Sequence, residues 1–188
     1  MTSSQISKDV IDVLTEDHEE VTALIANIRT VTDPMVRRDL TDTAISELVR
    51  HAVAEEMYVY PVMRKYLDDG ERAVAHDIDE HQEIEVTLKR LEDVDVSSAE
   101  FDTALGRLER LLADHVRDEE QDQFPELRRA IPREELAELA GQVEIAKKLA
   151  PTRPHPGAPN NQLFHMVVGP GVGLVDRLRD KLSGRVTG

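Results

Sequence analysis

Two stretches of the chain share an arrangement of side chains that are common metal ligands. The first is HAVAEEMYVYP, residues 51–61, and the second is HVRDEEQDQFP, residues 115–125. Each contains a histidine, a Glu-Glu pair that begins four residues later, and an aromatic residue followed by proline. In a helix, residues at positions i and i+4 project from the same face one turn apart. Each stretch can therefore present an imidazole and a carboxylate side by side.

Two further histidines extend this pattern into a repeat. His18 lies in EDHEEV and His81 in the similar DEHQEI. His18 and His81 are 63 residues apart, and His51 and His115 are 64 residues apart. The chain therefore resembles a duplicated helical hairpin, in which each half supplies one lone histidine and one His-x-x-x-Glu pair. Such a repeat predicts a site with two-fold symmetry.

Four amphipathic helices are predicted to carry these residues. Apolar residues recur at helical spacing over residues 7–31, 35–67, 71–93 and 99–130, and each histidine falls on the apolar stripe of its segment. Pro61 lies inside the second segment and predicts a kink, because it lacks a donor and presses on a carbonyl of the preceding turn. No segment has the alternation of a strand. The fold class is therefore all-α, an antiparallel up-down-up-down four-helix bundle.

The turns predict that the four histidines meet at one level of this bundle. Two residues of an antiparallel hairpin face each other when the turn lies midway between them. The midpoints fall near residue 34 at Asp33-Pro34, at residue 66 just before Asp68-Asp69-Gly70, and at residue 98 within DVDVSS. All three midpoints coincide with, or adjoin, a predicted turn.

Three regions are predicted along the chain. Residues 1–131 form the bundle, and an additional helix packs on it within residues 132–150, beginning at about residue 133 after Ile131-Pro132. Residues 151–188 form a proline-rich tail that ends in a short helix. GPGVG in this tail lacks the lysine and the spacing of a phosphate-binding loop, so we interpret it as a turn.

Composition excludes several classes of protein. The 188 residues carry a formal net charge of −15, which disfavours binding to nucleic acids or to anionic membranes. Cysteine is absent, so the chain has no disulfide framework and no thiolate ligand. No apolar run approaches the roughly 20 residues that span a bilayer, and MTSSQISKDV lacks the layout of a secretory signal. We therefore expect no membrane partner and a cytoplasmic location.

A metal centre explains why glutamates would face the core. Burying Glu55 and Glu119 without a partner would cost several kcal/mol each, at about the scale of an unpaired buried charge. Four imidazoles and two carboxylates are too many ligands for one closed zinc site, and they suit two metals bridged by both carboxylates. Mixed imidazole and carboxylate ligation favours iron or manganese. The alternative is that each histidine is simply hydrogen-bonded within the core.

The ordered motifs resemble the hemerythrin-like, or HHE cation-binding, family over about residues 8–130. The motifs that carry the resemblance are His18, His51-x-x-x-Glu55, His81 and His115-x-x-x-Glu119. The resemblance implies a four-helix bundle that holds two iron ions per chain with an oxo or hydroxo bridge. It also implies that the four histidines are nitrogen ligands, that the two glutamates are bridging carboxylates, and that the centre binds or reacts with dioxygen, nitric oxide or peroxide. The C-terminal helix and the proline-rich tail resemble those of actinobacterial members.

One position departs from the oxygen-carrying hemerythrins, which have a His-x-x-x-His pair on the third helix. Here Asp77 stands four residues before His81 and Glu85 four residues after it. His76 is rotated off this face and is predicted to be a surface residue. Glu85 is a further candidate ligand, and the missing histidine argues against simple oxygen carriage.

A tyrosine is a candidate for the vacant ligand position. In an ideal α-helix Tyr58 shares the inward face with His51 and Glu55, whereas Tyr60 points nearly the opposite way and is predicted to be a packing residue. We predict that Tyr58 binds or closely approaches one iron. The alternative is a buried tyrosine that is hydrogen-bonded to a neighbouring glutamate.

The leading functional hypothesis is a di-iron protein that reacts with nitric oxide, hydrogen peroxide or dioxygen in stress defence. One alternative is a store or sensor that binds dioxygen reversibly, and another is iron handling.

Overall fold

The computed structural model describes residues 8–157, 176, 180, 181 and 183–185, and within them the chain forms helices and no strand. The elements are α1 (Val10–Thr30), α2 (Pro34–Ala54), a first π-helix (Glu55–Val59), α3 (Tyr60–Tyr66), α4 (Gly70–Asp93), α5 (Ala99–Asp118), a second π-helix (Glu119–Gln123), α6 (Phe124–Ala130) and α7 (Arg133–Leu149). The predicted tail of residues 151–188 and the first seven residues lie largely outside the described residues.

The helices form the predicted four-helix bundle. Helix α1 packs against α2, α2 against α4, α4 against α5, and α5 against α1. Two of the predicted turns have the expected caps: the Asp33 side chain accepts hydrogen bonds from the first turn of α2, and the Ser98 hydroxyl accepts one from the backbone N–H of Phe101. The all-α fold class is therefore confirmed.

A π-helix interrupts each of the two long predicted helices directly after its inward glutamate. In a π-helix the backbone N–H bonds to the carbonyl five residues earlier instead of four. The backbone N–H of Tyr60 donates to the backbone carbonyl of Glu55 in this way, and that of Phe124 donates to the backbone carbonyl of Glu119. Proline follows immediately, and its ring would clash with the carbonyl four residues before it in an α-helix. The wider turn relieves that clash, so the structure has a π-helix where the sequence predicts a kink.

The turn between α3 and α4 depends on a glycine. A Cβ on Gly70 would lie 2.2 Å from the carbonyl oxygen of Met63, so the two backbones approach too closely for any other residue. Among the described residues only Gly184 has a positive φ, so Gly70 is needed here for space. It begins α4 and does not serve as the predicted stop of the preceding helix.

Two hydrophobic clusters fill the bundle, one on each side of the histidine level. One cluster includes Leu14, Met63 and Leu127, and it also takes in the buried face of α7. The other includes Ile25, Leu88 and Leu108. In each of the four long segments the histidine falls between the residues of the two clusters. The polar groups therefore form a layer between two apolar halves.

Helix α7 lies where the additional helix was predicted, and it packs against α1 and α2. Val36 has the helical spacing of the apolar stripe of the second predicted segment, but it lies in the first turn of α2 and is 45% exposed. None of the helices in the described part of the chain combines the length and the apolar character that a membrane span requires.

Candidate metal centre

The structure brings the six predicted ligands together in the polar layer. Each is at most 4% exposed, and the six are His18, His51, Glu55, His81, His115 and Glu119. The Nε2 atoms of His18 and His51 are 3.3 Å apart, and those of His81 and His115 are also 3.3 Å apart. The imidazoles therefore form two pairs whose Nε2 atoms point at each other.

Each buried glutamate lies between the two pairs. Glu55 Oε2 is 3.2 Å from His51 Nε2 and 3.4 Å from His81 Nε2. Glu119 Oε2 is 3.2 Å from His18 Nε2 and 3.6 Å from His115 Nε2. Each carboxylate thus reaches one imidazole of each pair, which is the placement that a carboxylate bridging two ions needs.

The glutamate oxygens have no hydrogen bonds that would explain their burial. Both carboxylate oxygens of Glu55 and of Glu119 are buried, and apart from the imidazole nitrogens at 3.2–3.6 Å they have no polar partner among the described residues. A buried carboxylate in that state is strongly unfavourable unless a cation compensates it. The potential ligand atoms form two overlapping groups, each within 4.8 Å: His18, His51, His115 and Glu119 in one, and Glu55, His81 and His115 in the other. The donor set fits metal cations.

A second set of carboxylates orients the imidazoles. In each of the four histidines of the site, Nδ1 is the outer ring nitrogen, and it lies within hydrogen-bond distance of one carboxylate. The pairs are His18–Glu120 at 2.8 Å, His51–Asp17 at 3.1 Å, His81–Glu56 at 3.2 Å and His115–Glu80 at 2.9 Å. An Nδ1–H that donates to a carboxylate leaves the Nε2 lone pair free for a metal, the usual arrangement around metal-binding histidines.

Sequence reasoning missed these outer carboxylates, although the repeat contains a signal for them. Two of them, Glu56 and Glu120, are the second members of the Glu-Glu pairs. The other two, Asp17 and Glu80, directly precede the lone histidines. The outer set follows the same two-fold repeat as the inner one.

The charges of the site favour bound cations. Burial lowers the pKa of His51, but the charge of Glu55 and the hydrogen bond to Asp17 outweigh burial and raise it to about 10. For Glu55, burial opposes ionisation, and the His51 charge nevertheless holds its pKa well below the usual value. The excess negative charge thus raises the pKa values of His51, His81 and His115 and draws protons onto these imidazoles, and bound metal ions would replace those protons.

The tyrosine whose hydroxyl contacts a histidine of the site is Tyr60, whereas the sequence predicts Tyr58 there. The Tyr60 side chain is 1% exposed, and its hydroxyl lies 3.2 Å from both ring nitrogens of His81. Tyr58 is half-buried and packs against the hydrophobic cluster that contains Leu14. The extra residue of the π-helix rotates the following residues by about 100°, which moves Tyr60 onto the side of Glu55.

The equivalent residue of the second repeat is Phe124. Its ring stacks on His18, with centroids 6.0 Å apart and an interplanar angle of 5°. One imidazole pair is therefore flanked by a phenol and the other by a phenyl ring, so the two halves of the centre are chemically different.

The two acidic residues that flank His81 have different places. Glu85 is half-buried, and its carboxylate accepts a hydrogen bond from the backbone N–H of His155 at 2.7 Å. It joins none of the ligand groups of the described residues. Asp77 is 0% exposed and accepts a hydrogen bond from Gln123 at 2.9 Å, and burial raises its pKa to about 6. Glu85 is therefore not placed as a ligand, and Asp77 occupies the position four residues before His81.

A small apolar cavity adjoins the centre between α2 and α4. Its volume is about 40 Å³, and its polar lining residues are Glu56, His81 and Glu85. Most of the lining is aliphatic, from Leu48, Val49, Ala52, Val53, Ile84 and Leu88. Because one water molecule needs about 10–15 Å³ by this measure, the cavity has room for a molecule of a few atoms.

Comparisons with known proteins agree with this geometry. Residues 9–127 match the hemerythrin HHE cation-binding domain. An uncharacterized hemerythrin-like protein of Schizosaccharomyces pombe is 32% identical over 175 residues, which cover 93% of this chain and 86% of that protein. A DNA nickase of a Nostoc species is 27% identical over 145 residues, covering 77% of this chain and only 41% of that protein.

A solved structure shows the same fold. The crystal structure of a hemerythrin HHE cation-binding domain-containing protein from Mycobacterium kansasii superposes with a TM-score of 0.65 at 22% identity. The superposition covers 75% of this chain and 86% of that one. Family match, relative and fold agree with the buried layer of histidines and glutamates, and the chain belongs to the hemerythrin HHE cation-binding family.

Proposed function

We propose that this chain is a cytoplasmic di-iron protein that reacts with nitric oxide, hydrogen peroxide or dioxygen in oxidative or nitrosative stress defence. The observation that carries the proposal is the position of Glu55 and Glu119, each between one imidazole of either pair. In that position the two carboxylates would hold two metal ions per chain, and the family resemblance implies an oxo or hydroxo group as a further bridge.

The donor set favours iron over zinc. Four neutral imidazoles and two carboxylates offer more ligands than one tetrahedral zinc ion takes, and they are typical of non-heme iron. A bound pair of irons would supply the electrons that an oxidant accepts.

Residues of this chain would control which molecules reach the centre and which groups hold protons there. The cavity next to His81 is apolar and small, so it admits diatomic molecules and peroxide more readily than larger substrates. The Tyr60 hydroxyl faces His81, whose Nδ1 is also within reach of Glu56. With Nε2 bound to a metal and Nδ1–H donating to Glu56, neither nitrogen of His81 can accept the Tyr60 proton. The phenol is then free to face the centre, where it can lose its proton and bind one iron.

Asp77 and Tyr60 favour reaction over reversible oxygen carriage. The oxygen carriers have a His-x-x-x-His pair on the third helix, whereas here Asp77 stands four residues before His81 and is hydrogen-bonded to Gln123. A phenol next to the centre adds a donor of protons and of electrons. Reversible dioxygen binding without turnover is the competing function, supported by the same apolar cavity, and iron handling is the third.

Stopped-flow mixing tests the proposal. The iron-loaded protein is mixed with hydrogen peroxide or with nitric oxide, and the loss of each oxidant is measured against protein loaded with redox-inactive zinc. We expect consumption by the iron form alone. A fully reversible dioxygen adduct with no loss of either oxidant would instead establish the binding function.

A further inference from the structure

A second group of ligand atoms lies at the surface, close to the buried centre. It consists of His76 and Glu80 on α4 and Asp118 at the end of α5. His76 Nε2 is 3.4 Å from Glu80 Oε1 and 3.5 Å from Asp118 Oδ2. The His76 side chain is 56% exposed, so this group is open to solvent, as the sequence predicts for His76.

Glu80 connects this surface group to the centre. While its Oε1 faces His76, its Oε2 is 2.9 Å from His115 Nδ1. Asp77, Glu80 and His115 form a third group of ligand atoms within 4.8 Å of one another, partly buried. The chain of groups therefore runs from the surface inward, and each shares a residue with the next.

Two buried oxygen atoms without hydrogen-bond partners lie between the surface group and the centre. They are a separate observation that points to a path for cations. Asp77 is 0% exposed, and its Oδ2 has no hydrogen-bond partner among the described residues, nor does the Oε1 of Gln123. Gln123 also lines an open pocket of about 530 Å³ together with His76 and Asp118. Two buried acceptors thus lie between an exposed polar pocket and the metal ligands, where a passing cation would need oxygen ligands.

The pocket attracts cations. Four of its lining residues are acidic: Asp69, Asp118, Asp122 and Glu126. The lining arginine, Arg72, is already paired with Asp69. Arg117 pairs with Asp118, but it uses Oδ1 and leaves Oδ2 facing His76. The pocket is therefore negatively charged, and the exposed imidazole of His76 lies among its acidic side chains.

We infer that His76, Glu80 and Asp118 form a labile divalent-cation site through which Fe²⁺ reaches the buried centre. One imidazole and two carboxylates suit Fe²⁺ and Mn²⁺, and the three ligands leave room for bound water. Because the site is exposed and has few ligands, a cation there exchanges readily. The inference rests on the proposed di-iron centre only for the destination of the cation.

Manganese binding to the iron-loaded protein tests the surface site. Free Mn²⁺ is counted from its electron paramagnetic resonance signal during a titration. We expect one exchangeable Mn²⁺ per chain, which His76→Ala and Asp118→Asn abolish. Asp114→Asn is the matched control, because Asp114 also pairs with Arg117 but lies outside the ligand group. Equal binding in Asp114→Asn and Asp118→Asn would overturn the site, as would no binding to the unchanged chain.

Iron release tests the route with the same variants. The rate of Fe²⁺ transfer from the reduced protein to a chelator reports the inward path, because both directions share one pathway. We expect His76→Ala and Asp118→Asn to slow release several-fold, while the iron content before release stays the same as in Asp114→Asn. Unchanged release rates would overturn the route. A low iron content in the unchanged chain would instead count against the di-iron centre itself.

Discussion

Each of the four candidate ligand histidines has different partners at its two ring nitrogens. Nε2 points into the centre, and Nδ1 is held by an acidic side chain at 2.8–3.2 Å. The outer contact selects the tautomer and holds the ring in the plane that directs the Nε2 lone pair inward. The outer carboxylates should therefore matter for metal affinity although they do not touch the metal.

Glu120→Ala tests the role of these outer carboxylates. Glu120 is the partner of His18 Nδ1, so its removal frees the ring to rotate and to change tautomer. We expect metal affinity about 10–100-fold lower, the usual effect of losing such a partner. Competition with a chelator measures it. Glu19→Ala is the control, since Glu19 is an exposed acidic neighbour of His18. Equal affinities in the two variants would show that the outer contact is dispensable.

Tyr60 is the phenol whose ionisation depends on metal. Burial first, and then the charge of Glu55 and of other nearby carboxylates, raise the pKa of Tyr60 well above its usual value, so the phenol stays protonated without a cation. A bound metal ion reverses this balance and favours the phenolate. We expect a visible charge-transfer band in the ferric protein that Tyr60→Phe removes and Tyr58→Phe retains. The reverse outcome would restore the assignment to Tyr58.

The two π-helices decide which residues follow the inward glutamates. Each adds one residue to a turn at the point where proline prevents regular α-helical bonding. Tyr60 and Phe124 consequently lie beside the imidazoles in place of the residues that a regular helix would put there. In each half of the centre, one π-helix therefore decides which aromatic side chain lies beside the imidazoles.

Deletion of Tyr58 combined with Pro61→Ala tests the role of the first π-helix. The deletion puts Tyr60 four positions after Glu55, and without the proline ring an ordinary α-helix can place both on one face. We expect the shortened chain to fold, to bind two metal ions and to keep the Tyr60 charge-transfer band. Circular dichroism, metal analysis and the visible spectrum measure these properties. Loss of the band with metal content intact would show that the wide turn itself positions the phenol.

The whole bundle is arranged around a polar layer that divides its core. Apolar clusters lie on both sides of the layer, and helix α7 contributes to one of them. Lys147 of α7 also donates a hydrogen bond to Asp17 at 2.5 Å, and Asp17 in turn holds His51. The additional helix therefore contributes to the centre as well as to the core. Because the layer contains several buried carboxylates, bundle stability should depend on bound metal.

Metal removal should destabilise the protein. A ligand that binds only the folded state at 100 times its Kd stabilises it by about 2.7 kcal/mol, and about 1 kcal/mol corresponds to 2–4 °C in a domain of this size. We expect close to two irons per chain as purified, and a melting temperature lower by several degrees or more after chelation. His115→Ala should carry little iron and respond little to the chelator. Equal melting of the metal-bound and metal-free forms would mean that other groups compensate Glu55 and Glu119.

Much of this architecture follows from local rules that the sequence displays directly. The period of the apolar residues marks the helices, and Asp33 and Ser98 mark their starts, because caps depend on side chains a few residues away. Equal distances from histidine to turn then place four imidazoles at one level, since antiparallel helices advance by the same rise per residue. The inner histidines and glutamates of the candidate site could therefore be named before the structure was known.

Other features depend on contacts between segments far apart in the chain. Whether proline kinks a helix or widens one turn is decided by packing on both of its sides, so Tyr58 rather than Tyr60 was expected at the centre. The contact of Glu80 with both His76 and His115 joins α4 to the bundle interior and to solvent at once, which no single-helix pattern can show. Glu85 likewise meets the backbone of His155, seventy residues along the chain. Helical spacing determines the direction in which a side chain leaves its own helix. Which residues it then contacts depends on how the helices pack against one another.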